Sequence, residues 1–193
     1  MHYSEAIKSY RSENFQEEAD LHLILTEMSL HGDTLLTRDC AAAHLTSSCF
    51  VVDPSCQTIL FAHHNQRNCW AWAGGHADGE TNLLHRATTE LLEETGLVPA
   101  FPPEDNILSL DVLPVLGHVK NGRYVSAHLH LNVAYLFVCE KDAPLCPRPE
   151  ENTDVRWFSH SFLQQGQLNK LDAALYQKLF GRAQFRLGFT GHG

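Results

Sequence analysis

The chain has 193 residues, 44% hydrophobic and 19% charged, so it can bury one ordinary core. Its formal net charge of −9 argues against a surface for nucleic-acid polymers or anionic membranes. The six cysteines show neither the close-paired spacing of a metal site nor the density of a disulfide scaffold, so we expect reduced thiols. The sequence has no apolar run of about 18 residues and no secretory signal, so we expect a cytoplasmic protein.

The N-terminal segment predicts a helix that begins after Asn14 and ends near Gly32. Asn14 and Glu17 resemble a capping box, and an apolar stripe with helical spacing follows, formed by Leu21, Ile24, Leu25 and Met28. We therefore assign residues 1–40 to an N-terminal helical extension and residues 41–193 to the main domain. The helix either packs on that domain or forms the arm of a homodimer, and the sequence leaves both alternatives open.

The next elements are predicted strands. Residues 45–52 and 58–62 are rich in apolar and β-branched residues, and the turn signal Asp53-Pro54-Ser55 between them favours a hairpin. The short apolar segment 70–73 leads into Gly74-Gly75, where the backbone can come close to a ligand.

A second helix follows and closes on Glu90-Leu91-Leu92-Glu93-Glu94. Gly96 occupies the position of a left-handed residue that ends a helix, and Pro99 blocks continuation. The helix has an apolar face made of Leu83, Leu84, Ala87 and Leu91.

Residues 107–119 and 127–139 predict two long strands separated by the turn signal Asn121-Gly122. A shorter strand is predicted at residues 154–158, after the proline-rich stretch 144–149.

The last predicted helix covers residues 171–180, with Asn169 as its N-cap and Gly181 just past its end. Strands on both sides of a helix, with further helices at each end, predict an α/β/α sandwich with a mixed sheet.

The acidic face of the central helix is the strongest functional signal. Glu90, Glu93 and Glu94 lie at i, i+3 and i+4 and share one stripe, with Arg86 one turn earlier. Two carboxylates about 4 Å apart repel by roughly 4 kcal/mol at an effective dielectric near 20, so a partly buried stripe needs cations or protons. If the stripe binds a metal, its oxygen-only ligands favour magnesium. The alternative interpretation is that the stripe is an ordinary solvated face of the helix.

Residues 75–97 resemble the Nudix box. That pattern runs glycine, five residues, glutamate, seven residues, Arg-Glu, an apolar residue, any residue, Glu-Glu, any residue, glycine and an apolar residue. The spacing is kept from Gly75 to Leu97, with Glu90, Glu93 and Glu94 on the acidic positions.

Two positions depart from the pattern. Thr89 replaces the arginine of the box, and Thr81 replaces its first glutamate, with Glu80 one residue early. Threonine cannot orient carboxylates through charge-assisted hydrogen bonds. Arg86, four residues before Glu90, is our candidate to replace the arginine.

The resemblance implies a Nudix-like sandwich and a pyrophosphohydrolase that cleaves the diphosphate bond of a nucleoside diphosphate linked to another moiety. Mg²⁺ or Mn²⁺ would be held by Glu90, Glu93, Glu94 and the Gly75 carbonyl, with Arg86 in the catalytic set. In this family a loop carboxylate often completes the site or acts as the base. Its candidates here are Glu150 and Glu151.

Histidines form a second pattern. The period of two puts His128 and His130 on one face of a strand, with Asn132 after them. This face is either exposed to solvent or directed at the acidic helix, where imidazoles would bind a phosphate or a metal. We assign His44 and His76 to the same substrate-binding role.

Two other functions stay open. The first is a nucleotide-sensing domain without catalysis, suggested by Thr89. The second is an isomerase similar to isopentenyl diphosphate isomerase, to whose site His44 and His76 bear a loose similarity. That enzyme needs a cysteine near residues 74–76, and Cys69 lies too early. The sequence predicts no particular substrate.

Overall fold

The computed structural model describes residues 1–101, 106–120 and 122–189. Groups of strands lie between the N-terminal helices, a central helix and a C-terminal helix, which confirms the predicted α/β class. Two short 3-10 helices lie at Gly32–Leu36 and His160–Gln164. The other elements, in chain order, are α1 (Tyr3–Ser9), α2 (Phe15–His31), β1 (Ala43–Val52), β2 (Thr58–His64), β3 (Cys69–Ala71), β4 (Ala73–His76), α3 (Leu83–Thr95), β5 (Ser109–Val115), β6 (His118–Lys120), β7 (Arg123–Val125), β8 (His128–Val138), β9 (Asn152–Ser159) and α4 (Lys170–Arg186).

The strands of the described residues form a seven-stranded sheet and a separate antiparallel pair, β6 with β7. In the larger sheet β3, β2, β1, β8 and β5 are neighbours in that order, while β4 also pairs with β1 and β9 with β2. β5 runs antiparallel to β8 with Leu113 opposite His130, and β2 runs antiparallel to β9 with Ala62 opposite Val155. No helix in the described part of the chain has both the length and the apolarity needed to cross a bilayer.

The chain divides into two compact units, and the first comprises Met1–Ser48, Gly75–Ala87 and Asp105–Ala134. Within it α2 packs on β5, where an Asp20 carboxylate oxygen accepts a 3.0 Å hydrogen bond from the backbone N–H of Val112. The predicted cap is confirmed, since the Asn14 side chain accepts from the Glu17 N–H at 3.0 Å. The apolar core of this unit includes Ile7, Ile24, Leu35, Leu45, Leu110, Leu131 and Val133.

Glu17 shows why α2 begins where it does. Its carboxylate is fully buried and accepts hydrogen bonds from the hydroxyls of Tyr10 and Ser109, at 2.9 and 2.8 Å. These bonds compensate the loss of hydration of a buried charge. The first turn of α2 is therefore tied both to the segment before it and to β5. The boundary proposed at residue 40 stays a prediction.

The second unit comprises Cys49–Gly74, Thr88–Glu104 and Tyr135–Gly193. Its core is aromatic: the ring centroids of Phe61 on β2 and Tyr176 on α4 lie 4.8 Å apart. The Tyr176 hydroxyl also accepts a 3.3 Å hydrogen bond from the backbone N–H of Trp72. Other buried side chains of this core are Phe50, Ile59, Leu91, Tyr135, Phe137 and Leu179.

One predicted strand is divided in the structure. Instead of a single strand over residues 107–119, β5 ends at Val115 and β6 begins at His118. The Tyr124 ring lies against the backbone of Gly117 so closely that any side chain there would collide with it. The turn signal Asn121-Gly122 connects β6 to β7; Asn121 lies outside the described residues.

The predicted end of the last helix is wrong. Asn169 caps α4, accepting from the Asp172 N–H at 2.9 Å, but the helix continues through Gly181 to Arg186. A glycine inside a helix costs only about 1 kcal/mol relative to alanine. Arg182 and Ala183 are both buried, and packing of this next turn outweighs that cost. Helix α1 was not predicted, although Tyr3, Ala6, Ile7 and Tyr10 have helical spacing.

Gly96 ends α3 as predicted, with a φ of +74° and its N–H donating to the Leu92 carbonyl at 2.9 Å. A Cβ atom at Gly96 would lie 2.7 Å from the Cβ of Cys146. We expect Gly96→Ala to lower the free energy of unfolding by about 2–4 kcal/mol, from backbone strain and from overpacking. Urea denaturation measures this loss.

The matched control is Gly166→Ala. Gly166 has a similar φ of +70°, but a Cβ there would meet no atom within 4 Å. The control should lose only the strain contribution, about 1–2 kcal/mol. Equal losses for the two variants would show that the contact with Cys146 does not matter.

Candidate functional site

Three carboxylates of the second unit converge. Glu90 and Glu94 lie on α3, Glu151 directly precedes β9, and one carboxylate oxygen of each lies within 4.8 Å of the others. Glu90 and Glu94 are buried, whereas Glu151 is exposed. Oxygen-only donors at this spacing could hold a hard divalent cation. Glu150, the other loop candidate, is exposed and does not belong to this cluster of described residues.

Glu94 is held most firmly. One of its carboxylate oxygens accepts a 2.8 Å hydrogen bond from the Gly74 N–H, and its backbone carbonyl accepts one from the Asn152 amide at 3.2 Å. Burial raises the pKa of Glu94 to about 8, with a further increase from the negative charges of Glu90 and Glu151, although the bond from Gly74 opposes it. The cluster therefore requires a proton or a cation near neutral pH.

Glu93 differs from its neighbours on the helix. Its exposed carboxylate forms an ion pair with Arg148, whose guanidinium lies 2.9 Å from Glu93 and 3.3 Å from Glu151. Arg148 thus connects α3 to the loop that carries Glu151. Sequence reasoning missed Arg148 because it lies more than 50 residues from the box, between Pro147 and Pro149, and no local spacing relates it to the helix.

Arg86, predicted to replace the box arginine, makes contacts in the first unit. Its guanidinium donates to the backbone carbonyl of His76 at 2.9 Å and lies 4.0 Å from the Asp78 carboxylate. Its proposed role toward Glu90 stays a prediction. Gly75 lies in β4 beside His76, and Glu80 accepts a 2.7 Å hydrogen bond from the Asn82 N–H near the start of α3.

The four predicted histidines come together in the first unit. His44 lies on β1, His76 on β4, and His128 and His130 on β8. The His44 ring centroid lies 4.7 Å from those of His76 and His128 and 5.1 Å from that of His130. The Nε2 atoms of His44 and His76 are 3.0 Å apart.

Residues that follow two of these histidines continue the polar face. The Asn132 side chain is buried, and its Oδ1 accepts hydrogen bonds from the hydroxyls of Thr46 and Ser48, at 2.9 and 2.8 Å. With a period of two, His44, Thr46 and Ser48 share one face of β1, as His130 and Asn132 share one face of β8. The predicted polar face of β8 is therefore buried at Asn132 and half-buried at His128 and His130.

Burial favours the neutral form of two of these imidazoles, His44 and His76. Burial lowers the pKa of His76 to about 3, with further lowering from Arg38, His44, Lys120 and His128. Burial also lowers the pKa of His44. A neutral imidazole presents one nitrogen lone pair, which is the form that binds a metal.

Comparison with known proteins assigns the chain to a protein family. A sequence model of the NUDIX domain matches residues 42–179. No curated protein sequence matches the chain significantly.

Two solved structures share the fold. A NUDIX-family hydrolase from Clostridium perfringens is 18% identical, with a TM-score of 0.52, over 71% of this chain and 95% of that one. An Ap4A hydrolase from C. elegans, in a binary complex, is 13% identical, with a TM-score of 0.52, over 75% of this chain and 98% of that one.

The mixed sheet with its helices is thus of the Nudix type, as the sequence resemblance implied. The chain belongs to the NUDIX family, because the family match spans more than half of its residues. Its enzyme class is that of the Nudix pyrophosphohydrolases, which generally use divalent metal cations and act on small nucleotide-linked compounds.

The raised pKa of Glu94 predicts how stability depends on pH. Between pH 6.5 and 8 the folded, metal-free protein retains a proton on Glu94 that the unfolded chain has already lost, so the free energy of unfolding falls as pH rises. We expect this fall to be about 1–2 kcal/mol over the interval. Urea denaturation with a chelator present measures it.

Glu94→Gln should show a flatter profile, because glutamine has no proton to lose. Glu18→Gln, an exposed substitution on α2, is the control and should behave as the unmodified protein. An unchanged slope in Glu94→Gln would contradict the assigned protonation.

Proposed function

We propose that this protein is a metal-dependent hydrolase that cleaves the diphosphate bond of a nucleoside diphosphate linked to another moiety. The observation that carries the proposal is the convergence of Glu90, Glu94 and Glu151, of which Glu90 and Glu94 are buried. Burial raises the pKa of Glu94 to about 8, so a cation would relieve an unfavourable charge there. Surface carboxylates whose only role is to keep the protein soluble would be exposed and ionised. The excess of negative charge over the whole chain makes bound cations the means of attracting a diphosphate.

The donor set fits Mg²⁺ or Mn²⁺. Glu90, Glu94 and Glu151 would hold the ions, and Glu93 and the Gly75 carbonyl would complete the ligands as the family resemblance implies. When bound, the ions would neutralise the phosphate oxygens and lower the pKa of a coordinated water. Glu94 is suited to this role because the Gly74 N–H, at 2.8 Å, and the Asn152 amide, at 3.5 Å, donate to its carboxylate and orient it before any ligand binds.

The carboxylates also accept the proton that hydrolysis releases. Attack of water forms a bond to one phosphorus, the bond from that phosphorus to the bridging oxygen breaks, and Glu90 or Glu151 takes the proton of the attacking water. Glu151 is exposed and can pass the proton on to solvent. Glu90 is buried in the cluster.

Arg148 performs the task that the box arginine would perform. It contacts both Glu93 and Glu151 and so holds a carboxylate of α3 and a carboxylate of the loop at a fixed separation. Charge-assisted hydrogen bonds of this kind orient carboxylates that bind a ligand. We assign Arg148 as a positioning residue, which compensates for Thr89.

The test is a panel of nucleoside diphosphate sugars, dinucleotides, nucleoside triphosphates and ADP-ribose, with Mg²⁺ or Mn²⁺, scored for phosphate-containing products. Release of two phosphorylated products from one diphosphate class supports the proposal. Nucleotide binding with Mg²⁺, without product over hours, would instead identify the non-catalytic sensing domain suggested by Thr89.

Glu94→Gln should lower turnover at least about a hundredfold, because it removes a preoriented group that stabilises charge in the transition state. Initial rates on the best substrate of the panel measure the loss. The exposed Glu18→Gln variant should retain full activity. Near-normal turnover of a folded Glu94→Gln protein would refute the assignment of the site.

Arg148→Gln should lower kcat about tenfold or more, in line with the loss of a group that orients metal ligands. Adding Thr89→Arg to that variant should restore activity, since residue 89 lies four residues before Glu93 on α3. Arg156→Gln, which removes another arginine ion pair on β9, is the control. Full activity of Arg148→Gln, or no rescue by the second substitution, would exclude the positioning role.

A further inference from the structure

We infer that His44, His76 and His130 form a second metal site, which takes a transition-metal ion such as Zn²⁺ through nitrogen ligands. This site lies in the first unit, is separate in chemistry from the carboxylate cluster, and does not depend on the proposed hydrolysis.

The ligand atoms already lie close together. One ring nitrogen of each of the three histidines is within 4.8 Å of the others, and the His44 and His76 Nε2 atoms are 3.0 Å apart. Nitrogen ligands of a tetrahedral Zn²⁺ at about 2.05 Å from the ion are about 3.3 Å from each other. Small rotations of the imidazole rings would therefore place all three nitrogens around one ion.

The backbone makes this convergence rigid. The three histidines come from β1, β4 and β8, and β1 is hydrogen-bonded to both other strands. His44 is only 6% exposed, so its ring has little freedom to turn toward solvent. Rigid secondary structure holds ligands in place more accurately than loops do.

The donor chemistry selects the ion. Imidazole nitrogen suits Zn²⁺, Co²⁺, Ni²⁺ and Cu²⁺, whereas Mg²⁺ prefers oxygen and a shell of water. The positive charge of Arg38 near the cluster is offset by its ion pair with Asp78, 3.3 Å away. Three protein ligands leave a fourth position for water or for an oxygen of a bound anion.

The experiment is a titration of the chelator-treated protein with Co²⁺, followed by visible absorption. Tetrahedral Co²⁺ with nitrogen ligands absorbs in the visible range, whereas Co²⁺ bound to carboxylates and water absorbs weakly. We expect a saturable band with one Co²⁺ per chain, displaced by an equimolar amount of Zn²⁺. The band should persist in a Glu90→Gln/Glu94→Gln double variant, in which the carboxylate cluster is disabled.

His130→Gln should weaken Co²⁺ binding at least tenfold, and His44→Gln should abolish the band. His44 is buried, so circular dichroism checks that the His44→Gln variant folds. If that variant does not fold, His130→Gln supplies the test, because His130 is only half-buried. His22→Gln, at an exposed position on α2, is the control for binding to surface histidines.

A band that survives His130→Gln unchanged, or is lost in the carboxylate double variant, would overturn the inference. Absence of any saturable band in the unmodified protein would overturn it as well. None of these results would bear on Glu94→Gln turnover, so failure here is distinguishable from failure of the hydrolase proposal.

Discussion

The burial of the Glu94 carboxylate is the constraint on which the site depends. A carboxylate removed from water must be protonated, hydrogen-bonded or neutralised by a cation. Glu94 accepts hydrogen bonds from the Gly74 N–H and the Asn152 amide, while the carboxylates of Glu90 and Glu151 lie beside it. The negative charge of the cluster can be offset by a cation or by a proton on Glu94, whose pKa is raised to about 8 by burial.

Local patterns in the sequence were sufficient for most of the fold. The caps at Asn14 and Asn169 and the end of α3 at Gly96 depend on residues a few positions apart, which is the range over which spacing is informative. Prediction failed where tertiary packing decided the outcome. Gly181 continues a helix because the following turn is buried, and the long strand predicted over residues 107–119 is divided near Gly117, against which the Tyr124 ring lies.

The candidate site shows the same division. The glutamates of α3 and the alternating histidines of β8 follow from helical and strand periods, and the structure brings His44 and His76 to the latter group. Arg148 could not be found in this way, because only the folded chain brings it to Glu93. Nor does helical spacing reveal that Glu93 and Glu94, neighbours in sequence, differ so strongly in exposure.

The close approach of Cys146 to Gly96 fixes where the loop that carries Arg148 begins relative to the end of α3. The Cys146 N–H donates to the Thr95 carbonyl at 2.8 Å, and the missing side chain of Gly96 permits this contact. Arg148 follows only two residues later, so the distance it must span to reach Glu93 is set from the helix terminus. A larger residue at position 96 would shift the start of that loop away from α3. The Arg148 guanidinium would then no longer lie between the carboxylates of Glu93 and Glu151.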